Sequence, residues 1–350
     1  MDQRHAPSSC RSRVTRFLAG FLMLFFAGDW LIAQLRLPRV TGSTNASRKK
    51  WEMLRDRRTT PDVVVLGSSF EQFGVNPVIL DERATEQLGR KITTINLAAP
   101  ASSLNTEYLV VRKMLEGADR PRLAYLGITP YAVDAGQGDW LRHGLRAFAD
   151  HRDLRASWSA DWSTFRETLI ASLFGSYFQW NDLRLMTERL VLAAKWDHDA
   201  ETASNARGWL AWQGKRRPRK RRSEPATGAA VPETQVMPAA WRFDSNNING
   251  RSVREAIAAL RRHGVTVRLL ELPHTSDSRV ESDPRKNQPY RAFVDALIAE
   301  TGVALVRPPE GLLLDRDFFD DGHLLPAGAA KLSRWLAADV VRALTNRNPT

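Results

Sequence analysis

The sequence predicts an α/β fold: three layers, α/β/α, around a parallel sheet. Three observations predict it. Short apolar or β-branched runs recur along the chain, at Val63–Leu66, Ile92–Leu97, Leu123–Leu126, Val265–Leu272 and Val303–Val306. Between them lie stretches with helical apolar spacing. Pro and Gly punctuate the boundaries, as at Pro61, Gly67, Gly264, Pro273 and Gly302. Strands alternating with helices are covered on both faces, so the strands read as continuous apolar runs.

Composition supports a folded chain. Of 350 residues, 43% are hydrophobic and 26% charged, which excludes a disordered or low-complexity protein. The single cysteine, Cys10, excludes a disulfide scaffold and a Cys-rich metal site. The net charge of +12 is uneven, because Lys215–Arg222 (KRRPRKRR) concentrates much of it. The protein therefore reads as a folded domain with a basic loop, and not as a uniformly basic one.

The elements follow in order. Residues 1–16 are polar and basic and read as a cytoplasmic tail. Residues 17–35 are largely apolar and carry no charge apart from Asp29, close to the ~20 residues a helix needs to cross a bilayer. They are expected to form an uncleaved N-terminal transmembrane anchor. A cleaved signal peptide and a buried or peripheral helix are the alternatives. Arg36, Arg39, Arg48, Lys49 and Lys50 follow the segment, so flanking charge does not fix its orientation. We expect the tail inside and the domain outside the cytoplasm.

A charged stem occupies 36–60, and a domain spans 61–345. Within it Glu107–Leu115 has helical spacing, with Ser102 or Ser103 as N-cap. Val253, Ile257 and Leu260 mark a helix that stops at Gly264. Phe293, Val294, Leu297 and Ile298 mark another that stops at Gly302. The last helix starts at Pro326, a favoured first position, and runs to about Leu344. Residues 135–245 break the rhythm as an insertion between the third and fourth strands. They hold eight of the 11 tryptophans, helix-like stretches at 164–174 and 182–195, and a basic, flexible loop at 214–235. The tryptophans suit subdomain packing, a platform for sugar rings or a membrane-facing surface. The basic run suits a solvated loop or attraction to an anionic surface. No aromatic residue interrupts it, so no nucleic-acid partner is expected.

In parallel sheets ligands gather at the carboxyl ends of the strands. Those ends carry Gly67-Ser68-Ser69-Phe70, then Asn96-Leu97-Ala98-Ala99, then Gly127-Ile128-Thr129-Pro130, then His274. Phe319-Asp320-Asp321-Gly322-His323 precedes the last helix. A serine becomes nucleophilic when an imidazole takes its proton and a carboxylate fixes that imidazole's tautomer. Asp320 and His323, three apart on a tight segment, suit the second task. Asp321 is a competing orienter. Ser68 and Ser69 also suit helix capping. His274 reads as a pocket-lining or surface residue, or as a substrate contact. No metal-ligand spacing is present, so neither a metal nor a cofactor is expected. The GxSxG elbow of α/β-hydrolases is absent.

These residues resemble the SGNH (GDSL-like) hydrolase superfamily. VVVLGSSF fits its first block with Ser69 as the nucleophile, and Asp320-Asp321-Gly322-His323 fits its Asp-x-x-His block. NLAAP puts Ala98 where the family has a glycine. Gly127-Ile128-Thr129-Pro130 stands for its Gly-x-Asn-Asp, so Thr129 replaces the asparagine donor. The resemblance covers roughly 60–135 and 250–345. It implies a flavodoxin-like five-stranded sheet, a Ser69–His323–Asp320 triad, and an oxyanion held by Ser69, Ala98 and Thr129. The chain resembles the membrane-anchored branch of alginate O-acetylation and teichoic-acid D-alanylation. That implies an esterase or acyltransferase of the cell envelope, acting on an acylated or acyl-accepting polysaccharide beside a membrane-bound acyl donor protein. A non-catalytic polysaccharide-binding or assembly subunit is the other expectation, motivated by Ala98 and Thr129.

Overall fold

The computed structural model describes residues 8–34, 60–117, 120–134, 162–173, 246–275 and 284–346, with positions 50, 53, 154, 209 and 243. Its strands are β1 (Val63–Leu66), β2 (Thr94–Asn96), β3 (Leu123–Gly127), β4 (Thr266–Leu270) and β5 (Ala304–Val306). All pair in parallel, in the order β2-β1-β3-β4-β5. The helices are α1 (Ser8–Gln34), α2 (Ser69–Gly74), α3 (Pro77–Leu88), α4 (Leu104–Glu116), α5 (Pro130–Val133), α6 (Trp162–Leu173), α7 (Ile248–Arg262), α8 (Pro284–Thr301) and α9 (Pro326–Thr345).

The pleat of β1 builds two cores. Val64 and Leu66 join Leu109, Ile257 and Leu297 of α4, α7 and α8 on one face. Val63 and Val65 join Leu80, Leu332 and Leu336 of α3 and α9 on the other. Each of these valines is wholly buried, a contribution of roughly 1.5–3 kcal/mol apiece. One buried polar network fixes α9 to the sheet. The Tyr125 hydroxyl donates to Asp339 (2.8 Å), which also pairs with Arg268 (2.9 Å) and Arg342 (3.0 Å).

Several boundaries differ from the sequence reading. β2 begins only at Thr94, because the Ile92 N–H donates to Thr85 Oγ1 (2.9 Å) and the Thr93 N–H to Asp62 (3.0 Å). β3 extends to Gly127, which pairs with Leu270. α4 starts at Leu104, with Ser103 as its N-cap. β4 and β5 are shorter at their ends than the apolar runs that announce them.

α6 falls on the expected 164–174 helix, whereas the 182–195 helix and the 214–235 loop lie outside the described residues. α1 carries exposed Phe17, Phe21, Met23, Leu24 and Trp30. Among the described residues, no helix is long and apolar enough to cross a membrane.

Candidate active site

The chain turns sharply after β1. Gly67 has φ +150°, and a Cβ there would lie 2.3 Å from Glu71 Oε2. Ser68 then caps α2: its Oγ accepts from the Phe70 N–H (3.4 Å), and Glu71 Oε2 accepts from the Ser68 N–H (2.8 Å). This reciprocal capping box spends the first serine on the backbone. Ser69, next along, occupies the first helical position with its hydroxyl left for other work. The N–H at that position has no intrahelical acceptor.

A second turn brings the imidazole. Phe318 and Leu324 form an antiparallel bridge, and the Phe319 N–H donates to the His323 carbonyl (3.0 Å). Inside it, Asp320 Oδ1 accepts from the N–H groups of Gly322 (3.0 Å) and His323 (2.8 Å). The Thr275 N–H donates to the Asp321 carbonyl (2.9 Å), tying the turn to the segment after β4.

His323 Nδ1 lies 2.8 Å from Asp320 Oδ2, and His323 Nε2 lies 2.7 Å from Ser69 Oγ. Burial opposes ionisation of Asp320. The His323 side chain and the two backbone N–H groups outweigh that, and hold the carboxyl below the usual carboxylate range. An ionised Asp320 takes the Nδ1 proton, which leaves the Nε2 lone pair facing the Ser69 hydroxyl. The ring plane is fixed by stacking on Phe70 (4.9 Å) and Phe319 (5.2 Å), with Phe73 edge-on (5.4 Å). Gly322 is required beside it, since a Cβ would fall 2.1 Å from Phe70 Cε1.

Of the residues expected to hold the oxyanion with Ser69, Ala98 and Thr129 have their polar atoms on partners of their own. The Ala98 N–H donates to Asn96 Oδ1 (3.0 Å), so the amide assigned to the oxyanion is bonded within its own loop. The Thr129 hydroxyl is the N-cap of α5 and accepts from the Ala132 N–H (3.2 Å). It is a buried cap, and no bond joins it to Ser69 or His323. His274 packs edge-on against Phe70 (5.0 Å) and tilted to Tyr131 (6.4 Å), in the aromatic wall beside His323. Asp321 contributes its backbone, and Asp320 takes the orienting place.

The sequence reading missed four residues here. Glu71 and Glu107 are buried carboxyls at the strand ends. Lys50, assigned to the stem, is buried with its Nζ on the Ala98 carbonyl, and burial lowers its pKa well below the usual lysine value. Trp209 of the insertion donates its indole N–H to the Phe73 carbonyl (3.0 Å). The Ser68-x-x-Glu71 spacing is a signal that could have found Glu71. Nothing local marks the other three. Among the described residues, no group of three His, Cys, Asp or Glu could hold a metal.

No family model matches the chain, and no curated protein matches it. One solved structure it is similar to is described as "a putative platelet activating factor from Streptococcus pneumonia". The identity is 12% and the TM-score 0.37, over 93% of this chain and 99% of that one.

Proposed function

We propose that this chain is a serine esterase or O-acyltransferase of the SGNH type. The observation that carries the proposal is the continuous proton path, Ser69 Oγ to His323 Nε2 at 2.7 Å and His323 Nδ1 to Asp320 at 2.8 Å. In the proposed reaction Ser69 Oγ attacks an ester carbonyl while His323 takes its proton. The oxyanion forms against the Ser69 N–H. Collapse expels the alcohol, which takes the proton back from His323, and leaves an acyl-serine. Water or a sugar hydroxyl then attacks that acyl group, again through His323, giving hydrolysis or transfer.

The finer assignment rests on the resemblance of the GSS and DDGH blocks. On that resemblance we propose that the domain lies outside the cytoplasm, anchored through 17–35, with a cell-surface polysaccharide as acyl carrier or acceptor. A membrane-bound acyl donor protein is its proposed partner. One observation favours a second reading, a non-catalytic polysaccharide-binding or assembly subunit: Ala98 and Thr129 turn their polar atoms to their own neighbours.

Labelling of the detergent-solubilised chain with a fluorophosphonate probe separates the two. The expected outcome is covalent labelling that Ser69→Ala and His323→Ala each abolish, a loss on the order of 10⁴–10⁶ in rate. A folded wild-type chain that does not label would favour the binding subunit.

A further inference from the structure

The helix that begins at Ser69 is six residues long, so its last carbonyls take their donors from outside it. The adjoining chain does not serve the Phe73 carbonyl. Four residues along stands Pro77, which has no N–H to give. Of the residues between, the Val75 N–H donates to the Glu71 carbonyl (3.0 Å) and the Asn76 N–H to Ser333 Oγ (2.8 Å). The donor comes instead from 136 residues away, where the Trp209 indole N–H reaches the Phe73 carbonyl at 3.0 Å. An indole N–H can only donate, and it finds a partner when it leaves water. Trp209 is half-buried and packs against the core that holds Phe70, Val75 and Leu332.

Phe73 carries this contact to the triad. Its ring stands nearly perpendicular to His323 (5.4 Å, 78°) and to Phe319 (5.6 Å, 72°). Phe70 and Phe319 lie close to parallel with the imidazole, at 15° and 16°. Two near-parallel neighbours fix the tilt of a ring, and a perpendicular one adds a stop in a second direction. That stop matters because His323 Nε2 must stay within hydrogen-bond reach of Ser69 Oγ, now 2.7 Å away. A misplacement of about 1 Å at such a pair can cost on the order of 10² in rate.

We propose that Trp209 is a positioning residue supplied by the insertion: its indole N–H holds the Phe73 backbone, and the Phe73 ring holds His323 against Ser69. The placement stands on the contacts alone, while its effect on rate rests on the serine-hydrolase reading above. It gives one tryptophan of the insertion a task in the chemistry. Packing, a sugar platform and a membrane-facing surface are the roles that composition alone suits.

The test uses the full chain in detergent: wild type, Trp209→Phe, Phe73→Leu and the double variant. Trp209→Phe keeps an aromatic ring and loses the donor, and Phe73→Leu keeps apolar bulk and loses the ring. Fluorophosphonate labelling is expected to fall about three- to thirtyfold in Trp209→Phe, and on the order of tenfold to a hundredfold in Phe73→Leu. The double variant is expected within about threefold of Phe73→Leu, because the two residues act in one line. A double variant that shows the full product of the two losses would overturn the proposal, since Trp209 would then act by another route. So would a Trp209→Phe protein that labels like the wild type.

A second readout follows the imidazole itself. The NMR resonance of the His323 Cε1–H is identified among the seven histidines by its loss in His323→Ala, and is read at one fixed pH. It is expected to move in both Trp209→Phe and Phe73→Leu, because each displaces an aromatic ring beside it. A resonance that Trp209→Phe leaves in place would overturn the positioning role. A wild type that does not label sinks the hydrolase reading, and the resonance then decides the placement by itself.

Discussion

Along the proton path each polar atom meets the next, from Asp320 through His323 to Ser69. At the neighbouring strand ends Ala98 and Thr129 have their polar atoms turned to partners of their own. The first region is built from side chains on two tight turns, each closed by local hydrogen bonds. The second depends on backbone amides in loops, which any nearby side-chain acceptor can capture. Asn96 has done so with the Ala98 N–H. The comparison teaches that proton transfer and oxyanion binding are separately encoded on this fold. One missing oxyanion donor typically costs about 10²–10³ in rate, so a site with this proton path is still expected to be slow unless its loops shift on binding.

The largest expected effect falls on the finished half. Asp320→Asn keeps the shape but offers an N–H₂ where a carboxylate accepted. His323 Nδ1 then becomes the acceptor, its proton moves to Nε2, and Ser69 faces a donor. Fluorophosphonate labelling is expected to drop on the order of 10²–10⁴. The Asp320 carboxyl lies below its ordinary range, so its contribution to stability is present above the unfolded value and disappears as pH falls through the folded one. Tm at neutral pH is thus expected to fall in the variant, and the gap to close in acid. Full labelling in Asp320→Asn would mean that the turn alone holds the imidazole.

Next comes the residue that separates the two halves. Asn96 is fully buried, and its Nδ2 donates to the carbonyls of Glu71 (2.9 Å) and Val75 (2.9 Å). It ties α2 to β2 while its Oδ1 holds the Ala98 N–H. Asn96→Ala strands these groups, at an expected cost of about 2–4 kcal/mol in urea unfolding. The same change frees the Ala98 amide, and the labelling rate of the folded fraction is expected to hold or rise. A hundredfold loss of labelling without loss of stability would instead put Asn96 itself against the oxyanion.

What was legible in the sequence follows the same division. β1 could be read because four consecutive apolar residues between Pro61 and Gly67 suit a strand buried on both faces. Asp320 and His323 could be read because three residues on a closed turn leave little freedom. The strand order is the flavodoxin-like one that the resemblance implied. The fate of Glu71 and Glu107 was not legible. A glutamate on a helix ordinarily faces water, and only the approach of Gly67 to Gly127 across the sheet buries the first. Lys50 reads as part of a charged stem until the folded domain presents the Ala98 carbonyl to it. The capture of the Ala98 amide by Asn96 depends on a loop conformation that no periodicity encodes.

The smallest expected effect sharpens the comparison from the unfinished half. Thr129→Val keeps the volume and removes the hydroxyl that caps α5. If that hydroxyl is a cap and nothing more, the change costs about 1 kcal/mol of stability, read in urea. The labelling rate then stays within about threefold of wild type, because an oxyanion donor would have shown the larger loss. The two numbers must be measured on one preparation, since a frayed α5 also loosens Tyr131, which packs against Phe70 and so reaches the wall around His323. A fall of 10² or more in labelling, with Tm unchanged, would move Thr129 from the fold to the oxyanion, and the two halves of the site would then be equally built.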